Sequence, residues 1–177
     1  MKNIFLTGEI KVGKSTLLNK ALQSQNINVL GFKTLPVLEN DILTGFTMQS
    51  LKTGDTYQDP YIGKQLPSGA WTAVPETFER YGVNILKAAL AAEPDLILMD
   101  ELGFFESQAR EFQKLVHQCL ASSIPVLGVI KPISTPFLDA VRAAPNTVLL
   151  KITKDNRNER YFDLAELLAE LLKEVTP

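Results

Sequence analysis

Gly8-Glu9-Ile10-Lys11-Val12-Gly13-Lys14-Ser15 is the stretch that decides the fold. It fits the pattern G-x-x-x-x-G-K-[ST] at every fixed position, and each fixed position has a physical task. The glycines let the backbone turn tightly and approach an anion. Successive N–H groups then point inward as a nest, and the positive end of a following helix adds to their field. Lys14 is spaced to reach the β- and γ-phosphates of a nucleotide, and the Ser15 hydroxyl to bind Mg2+. The expected nucleotide-binding set is therefore Gly8, Glu9, Ile10, Lys11, Val12, Gly13, Lys14, Ser15 and Thr16, with the Lys11 side chain turned to solvent. The setting separates this loop from a chance glycine-rich turn. Ile4-Phe5-Leu6 precedes it as a short β-favouring run, and residues 15–24 follow with Leu17, Leu18, Ala21 and Leu22 on one helical face.

Outward from the loop, strands and helices alternate. Residues 28–34 and 45–51 read as the second and third strands. Residues 51–75 change character: Gly54, Pro60, Gly63, Pro67, Gly69 and Pro75 punctuate a polar stretch holding Tyr57, Tyr61 and Trp71. The spacing predicts a long surface loop or hairpin extension there, and such segments often serve as lids or binding loops. Pro75 opens a helix that runs to about Ala92 on Phe78, Tyr81, Ile85, Leu86, Ala89 and Leu90. Asp95-Leu96-Ile97-Leu98-Met99-Asp100 is a continuous apolar run closed by acid, which predicts a central strand. Residues 106–120 predict a helix with Ala109, Phe112, Val116, Cys119 and Leu120 inward. Residues 125–130 predict a buried strand, 135–143 a short helix and 147–153 the last strand. Residues 159–175 form an amphipathic helix on Tyr161, Leu164, Ala165, Leu168, Leu171, Leu172 and Val175. The alternation predicts an α/β chain: a mostly parallel sheet with helices on both faces, the P-loop nucleoside-triphosphate hydrolase fold. The extension falls around residues 45–75, and one domain spans residues 1–177.

Composition bounds the partners. The 177 residues carry a net charge of −2, so bulk charge makes no case for nucleic acid or an anionic membrane. Cys119 is the single cysteine and cannot form an internal disulfide, which fits a reducing compartment. No apolar run reaches membrane-span length, and the apolar part of the start is too short for a secretory signal. A soluble cytoplasmic protein is expected. No broad apolar element demands a partner, so a monomer is expected too.

The other half of a phosphate site should be an acid at the end of a neighbouring strand. Asp100 is the expected Mg2+ partner beside Ser15. Glu101, one residue on, is placed to accept a proton from a water attacking the γ-phosphate, and it joins Lys14 as a catalytic candidate. Glu101 has two plainer roles open to it: capping the loop at Leu102-Gly103, or pairing with a lysine.

These residues resemble a known family, the small P-loop nucleoside-triphosphatases of thermophiles and their human cancer-related member. Four places carry the resemblance: the phosphate loop with Ser15-Thr16-Leu17; Gly31-Phe32-Lys33-Thr34 followed by Gly45-Phe46; Asp100-Glu101-Leu102-Gly103 with Glu106; and Asn156-Arg157 near the C-terminus. Pro125-Val126-Leu127-Gly128 also resembles a strand of that family. The third place discriminates most. The resemblance implies slow, Mg2+-dependent hydrolysis of nucleoside triphosphates to diphosphates with broad base tolerance, Glu101 standing where water is activated. It adds Asn156 and Arg157 to the nucleotide-binding candidates. Two places depart from the pattern. Leu38 stands near the position of a frequent arginine, and Phe104 follows Gly103 where lysine or proline is common.

Thr153-Lys154-Asp155-Asn156 sits where a guanine-reading motif would sit, but it ends in an amide with one acceptor oxygen instead of a carboxylate. Guanine selectivity is therefore not expected. Arg157 is a candidate to stack on a base. Trp71, Tyr57 and Tyr61 are expected to pin their segment to the core, His117 to be solvated, and Cys119 to pack. Arg142 and Lys131 are candidates to stabilise transition-state charge as an arginine finger does; the plainer expectation, a solvated surface charge, is preferred for both. Two other functions compete with hydrolysis. A small-molecule kinase would use residues 51–75 as lid, yet that stretch holds Lys52 and Lys64 and no arginine. A nucleotide-dependent switch module would bind without needing rapid turnover.

Overall fold

The computed structural model describes residues 2–55 and 57–173. All its strands join one eight-stranded sheet. In chain order they are β1 (Asn3–Thr7), β2 (Val29–Glu39), β3 (Ile42–Ser50), β4 (Tyr61–Gln65), β5 (Trp71–Ala73), β6 (Leu96–Leu102), β7 (Val126–Ile130) and β8 (Thr147–Lys151). Across the sheet the order is β5-β4-β3-β2-β6-β7-β1-β8. From β2 to β8 every pair is parallel, while β2-β3, β3-β4 and β4-β5 are antiparallel.

Helices cover both faces of the parallel part, as the alternation predicts. On one face lie α1 (Lys14–Gln23) and α6 (Arg157–Lys173), which bury Leu18, Ala21, Leu164, Leu168 and Leu171 against the sheet. On the other lie α3 (Val83–Ala92), α4 (Arg110–Ala121) and α5 (Pro136–Arg142), around Phe32, Phe78, Phe112 and Leu138. With helices on both sides, β6 and β7 are buried almost throughout, which is why they read as unbroken apolar runs.

Several expected boundaries move for local reasons. The second strand continues past Thr34 to Glu39, because Asn40 and Asp41 take positive φ (50° and 62°) and return the chain as β3. Positive φ at both central residues matches the twist of a tight hairpin, and Asn and Asp tolerate it. The segment 51–75 resolves to the hairpin alternative, with β4 and β5 added to the sheet edge. The helix opened by Pro75 begins as α2 (Pro75–Thr77), widens into a π turn over Phe78–Gly82 and continues as α3. The helix expected from residue 106 starts at Arg110, because the Glu106 carboxylate turns back to accept from Gly103 N and the chain forms a turn there. The last strand stops at Lys151, short of Thr153, and α6 begins earlier than residue 159. Val175, counted in that helix from sequence, lies outside the described residues. Among the described residues no helix is long and apolar enough to cross a membrane.

Candidate active site

Strand order assembles the site. β6, β7 and β1 are consecutive neighbours, so their C-terminal ends stand in one row, about 4.8 Å from strand to strand. Thr7 pairs with Ile130, and Ile130 pairs with Leu102. The next residue on β1 is Gly8, which starts the phosphate loop, and the next after β7 is Lys131. The crevice beyond the carboxyl ends of parallel strands is the usual ligand site of such sheets.

The loop needs both of its glycines. Gly8 has φ +145°, and a Cβ there would lie 2.2 Å from the Ile152 carbonyl oxygen. Gly13 has φ +98° and caps α1 in the left-handed region, so the helix begins with its N–H groups turned towards the loop. No acidic side chain stands in the first turn of α1 to compete for them. Lys14 is buried, and its ammonium donates to the carbonyls of Gly8 (2.8 Å) and Glu9 (2.7 Å), closing the loop on itself. Burial lowers the Lys14 pKa; Glu101 raises it, Lys131 lowers it further and Asp100 raises it.

The acidic strand end meets this loop. Ser15 Oγ donates to Asp100 Oδ1 at 3.1 Å. Lys14 and Asp100 therefore stand within reach of one nucleotide, as the phosphate site requires. Burial raises the Asp100 pKa, countered first by the Ser15 hydrogen bond and opposed again by Lys33 and Lys14, while Glu101 adds to the rise. At this point the β6–β7 ladder skips a residue: Asp100 faces Val129 and Leu102 faces Ile130, leaving Glu101 between them. A bulge of this kind re-aims a side chain. The Glu101 N–H donates to Thr34 Oγ1 at 3.3 Å, and its carboxylate pairs with Lys131 Nζ at 3.1 Å. Of the plainer roles open to Glu101, the lysine pairing is present. The capping of Gly103 belongs to Glu106, which is buried and pushed up to about 7, mainly by burial.

A cavity of about 600 Å³ lies over these groups. Its wall is the loop from Gly8 to Thr16 apart from Val12, with Glu101, Lys131, Pro132 and Ile133 opposite. Val12 buries its side chain in the core and is not part of the wall. Lys11, at φ 63°, is exposed as expected. Asn156 and Arg157 are not among the residues of this wall. The Asn156 amide is engaged with backbone at both ends, accepting from Thr153 N (2.8 Å) and donating to Lys151 O (3.0 Å), which ties β8 to α6; Arg157 is exposed at the start of that helix.

Three other expectations are corrected. Lys131 is a wall of the cavity, not a solvated surface charge. Arg142 bonds the carbonyls of Lys131 and Ile133 and pairs with Asp139, so it braces the turn after β7. His117 is half-buried edge-on against Phe137, and burial lowers its pKa. Of the aromatic residues of the extension, Tyr57 packs inward as expected, stacked on Tyr81 at 4.6 Å; Trp71 lies 5.3 Å from Phe46 and 6.0 Å from Phe105 but stays 36% exposed, and the Tyr61 ring meets the Lys64 ammonium at 4.2 Å. Cys119 is buried packing, its thiol pushed up to about 12 by burial. Thr34 and Lys33, which faces Asp100 across β2 and β6, belong to the Gly31-Phe32-Lys33-Thr34 stretch of the resemblance, whereas Lys131, the other neighbour of the acidic pair, belongs to none of its motifs.

A family model described as NTPase matches residues 3–165. The chain is 30% identical over 169 residues to the nucleoside-triphosphatase THEP1 of Thermotoga maritima, covering 93% of this chain and 94% of that one. It is 28% identical over 182 residues to the nucleoside-triphosphatase THEP1 of Natranaerobius thermophilus, covering 97% of each. Among solved structures it is similar to THEP1 from the hyperthermophile Aquifex aeolicus, with a TM-score of 0.75 at 26% identity over 94% of this chain and 98% of that one. A human cancer-related nucleoside triphosphatase shares the fold, with a TM-score of 0.69 at 24% identity over 95% and 97% of the two chains. Motif, sheet order and these matches agree: the chain belongs to the NTPase family of P-loop nucleoside-triphosphatases.

Proposed function

We propose that this chain hydrolyses nucleoside 5′-triphosphates to diphosphate and phosphate, with Mg2+ and with broad tolerance of the base. The observation that carries the proposal is the 3.1 Å contact of Ser15 with Asp100, with Lys14 and Glu101 on the wall of the adjoining cavity. Ser15 and Asp100 place two hard oxygen donors side by side, and they would hold Mg2+. Among the described residues no group of three or more His, Cys, Asp or Glu side chains forms a metal cage. That suits Mg2+, which takes one or two protein oxygens and completes its shell with phosphates and water. When bound, the ion supplies charge neutralisation across the β- and γ-phosphates.

The chain's own residues do the rest. The N–H groups of the loop and the Lys14 ammonium bind and orient the phosphates. Glu101 takes a proton from the attacking water. The water oxygen bonds to the γ-phosphorus as the bond to the β–γ bridging oxygen breaks, and that electron pair leaves with the diphosphate. The engaged amide of Asn156 supports base tolerance, since no carboxylate stands there to read guanine. The single buried cysteine supports a cytoplasmic setting.

The test is phosphate release from ATP, GTP, CTP and UTP by purified protein, with Mg2+ and with EDTA. Lys14→Ala is expected to lose binding and turnover together, and Glu101→Gln to keep binding while turnover falls by about 10² to 10⁴. Wild-type protein that binds ATP and releases no phosphate would overturn hydrolysis in favour of a kinase or a switch.

A further inference from the structure

Lys131 has no place in the phosphate-loop motif, yet the sheet delivers it to the centre of the site. It follows the last residue of β7, the strand between β1, which launches the loop, and β6, which ends in Asp100 and Glu101. Its backbone is fixed there, since Lys131 N donates to Leu102 O at 2.9 Å. Arg142 holds the Lys131 carbonyl from the other side. Its side chain is bedded as well. The stem runs over Gly103, where an added Cβ would come within 2.9 Å of Lys131 Cδ. The ammonium stands 5.6 Å from the centre of the Phe46 ring and 5.7 Å from that of Phe105. Trp71, from the antiparallel edge, braces both rings. At its tip the ammonium meets Glu101 Oε1 at 3.1 Å, and it shares the cavity wall with Lys14.

The charges give this placement a consequence. The Glu101 carboxylate lines the cavity proposed to take a polyanion, and the buried Asp100 carboxylate adjoins it through Ser15. Glu101 in particular must stay close to a γ-phosphate that repels it, and charge spreads over the equatorial oxygens of that group as it transfers. A cation held between the acidic pair and the phosphate loop offsets that repulsion, and its field is strongest in a partly dry cleft. We propose that Lys131 is a second phosphate-directed cation supplied in cis, one that positions Glu101 and faces the transferring phosphoryl group, with the aromatic bed of the antiparallel extension holding it in place. It gives up no proton: the bond made to the γ-phosphorus and the bond broken are those of the hydrolysis described above, on which this inference rests.

Lys131→Met tests it, beside Lys131→Arg and Trp71→Ala, with thermal melts to establish that each variant is folded. Lys131→Met should lower kcat by about 10², with KM for ATP and Kd for ADP within about three-fold of wild type, since the effect belongs to the transition state. Affinity for ADP with aluminium fluoride, which mimics the transferring phosphoryl group, should fall in step with kcat. Lys131→Arg should recover part of the loss, and Trp71→Ala should lower kcat several-fold without moving KM. A folded Lys131→Met with unchanged or raised kcat, or one that loses ADP affinity as fast as turnover, overturns the role of Lys131 and leaves hydrolysis standing. A wild type that releases no phosphate overturns both.

Discussion

The two halves of the sheet do different work with the same kind of element. In the parallel half, β6, β7 and β1 are buried almost throughout, and their C-terminal ends, with the residues that follow them, bring Lys14, Asp100, Glu101 and Lys131 together. In the antiparallel half, β3, β4 and β5 place no residue on the cavity wall, and large apolar side chains stand open around the β2–β3 turn and the β4–β5 hairpin, as at Leu38 (58% exposed), Ile42 (64%) and Leu66 (44%). The antiparallel half reaches the site through packing: Phe46 and Trp71 bed the lysine that the parallel half delivers. Charge sits where strand ends converge, and precision comes from what is packed behind it.

Substitutions in each half break or sharpen that contrast. Gly8→Ala should have the largest effect, with nucleotide binding and turnover falling to background in titration and phosphate-release assays. The new Cβ would need to enter the Ile152 carbonyl, at a φ that side chains avoid. Phe112→Ala should come next, costing about 3–5 kcal/mol in denaturant melts. Its ring fills the space between Phe32, Phe78 and Gly82 on the parallel half's buried face.

Glu106→Gln should remove a pH dependence of stability. Burial first, opposed by the Gly103 hydrogen bond and by Lys131 and reinforced by Glu101, pushes Glu106 up to about 7 from an ordinary value of 4.5. Below 4.5 both the folded and unfolded chains hold the proton. Between 4.5 and about 7 the unfolded chain loses it while the folded chain keeps it, so stability falls as pH rises and levels off above. The Glu106 share of that fall is of order 3 kcal/mol, and melts of Glu106→Gln from pH 4.5 to 7.5 should lack it. Ile42→Ser at the hairpin turn should do least: stability within about 0.5 kcal/mol and turnover unchanged. A loss of turnover there would show that the antiparallel edge enters the chemistry directly.

Legibility from sequence follows how local each feature is. The helices α1 and α4 and the strands β6 and β7 were readable because one buried stripe or one buried run sets the period of each. The extension was only half readable. The lengths of β2 and β3 were not readable, because these strands are stabilised by each other across the sheet, around the turn at Asn40 and Asp41. The turn at Glu106 is hidden in the sequence because its apolar neighbours keep helical spacing while its carboxylate is taken by Gly103. The settings of His117 and Arg142 are hidden for a similar reason: their partners, Phe137 and the carbonyls after β7, are distant in the chain or turned back on it.

The sequence by itself determined the phosphate loop and the acidic pair, because N–H groups that converge on an anion are consecutive in the chain and Asp100 and Glu101 close one apolar run. Which strands lie side by side was decided only by tertiary structure. Nothing between residues 8 and 131 states that β7 packs between β1 and β6; that order follows from burying two apolar faces at once. It is this order that turns Lys131 from a surface charge into a neighbour of Glu101.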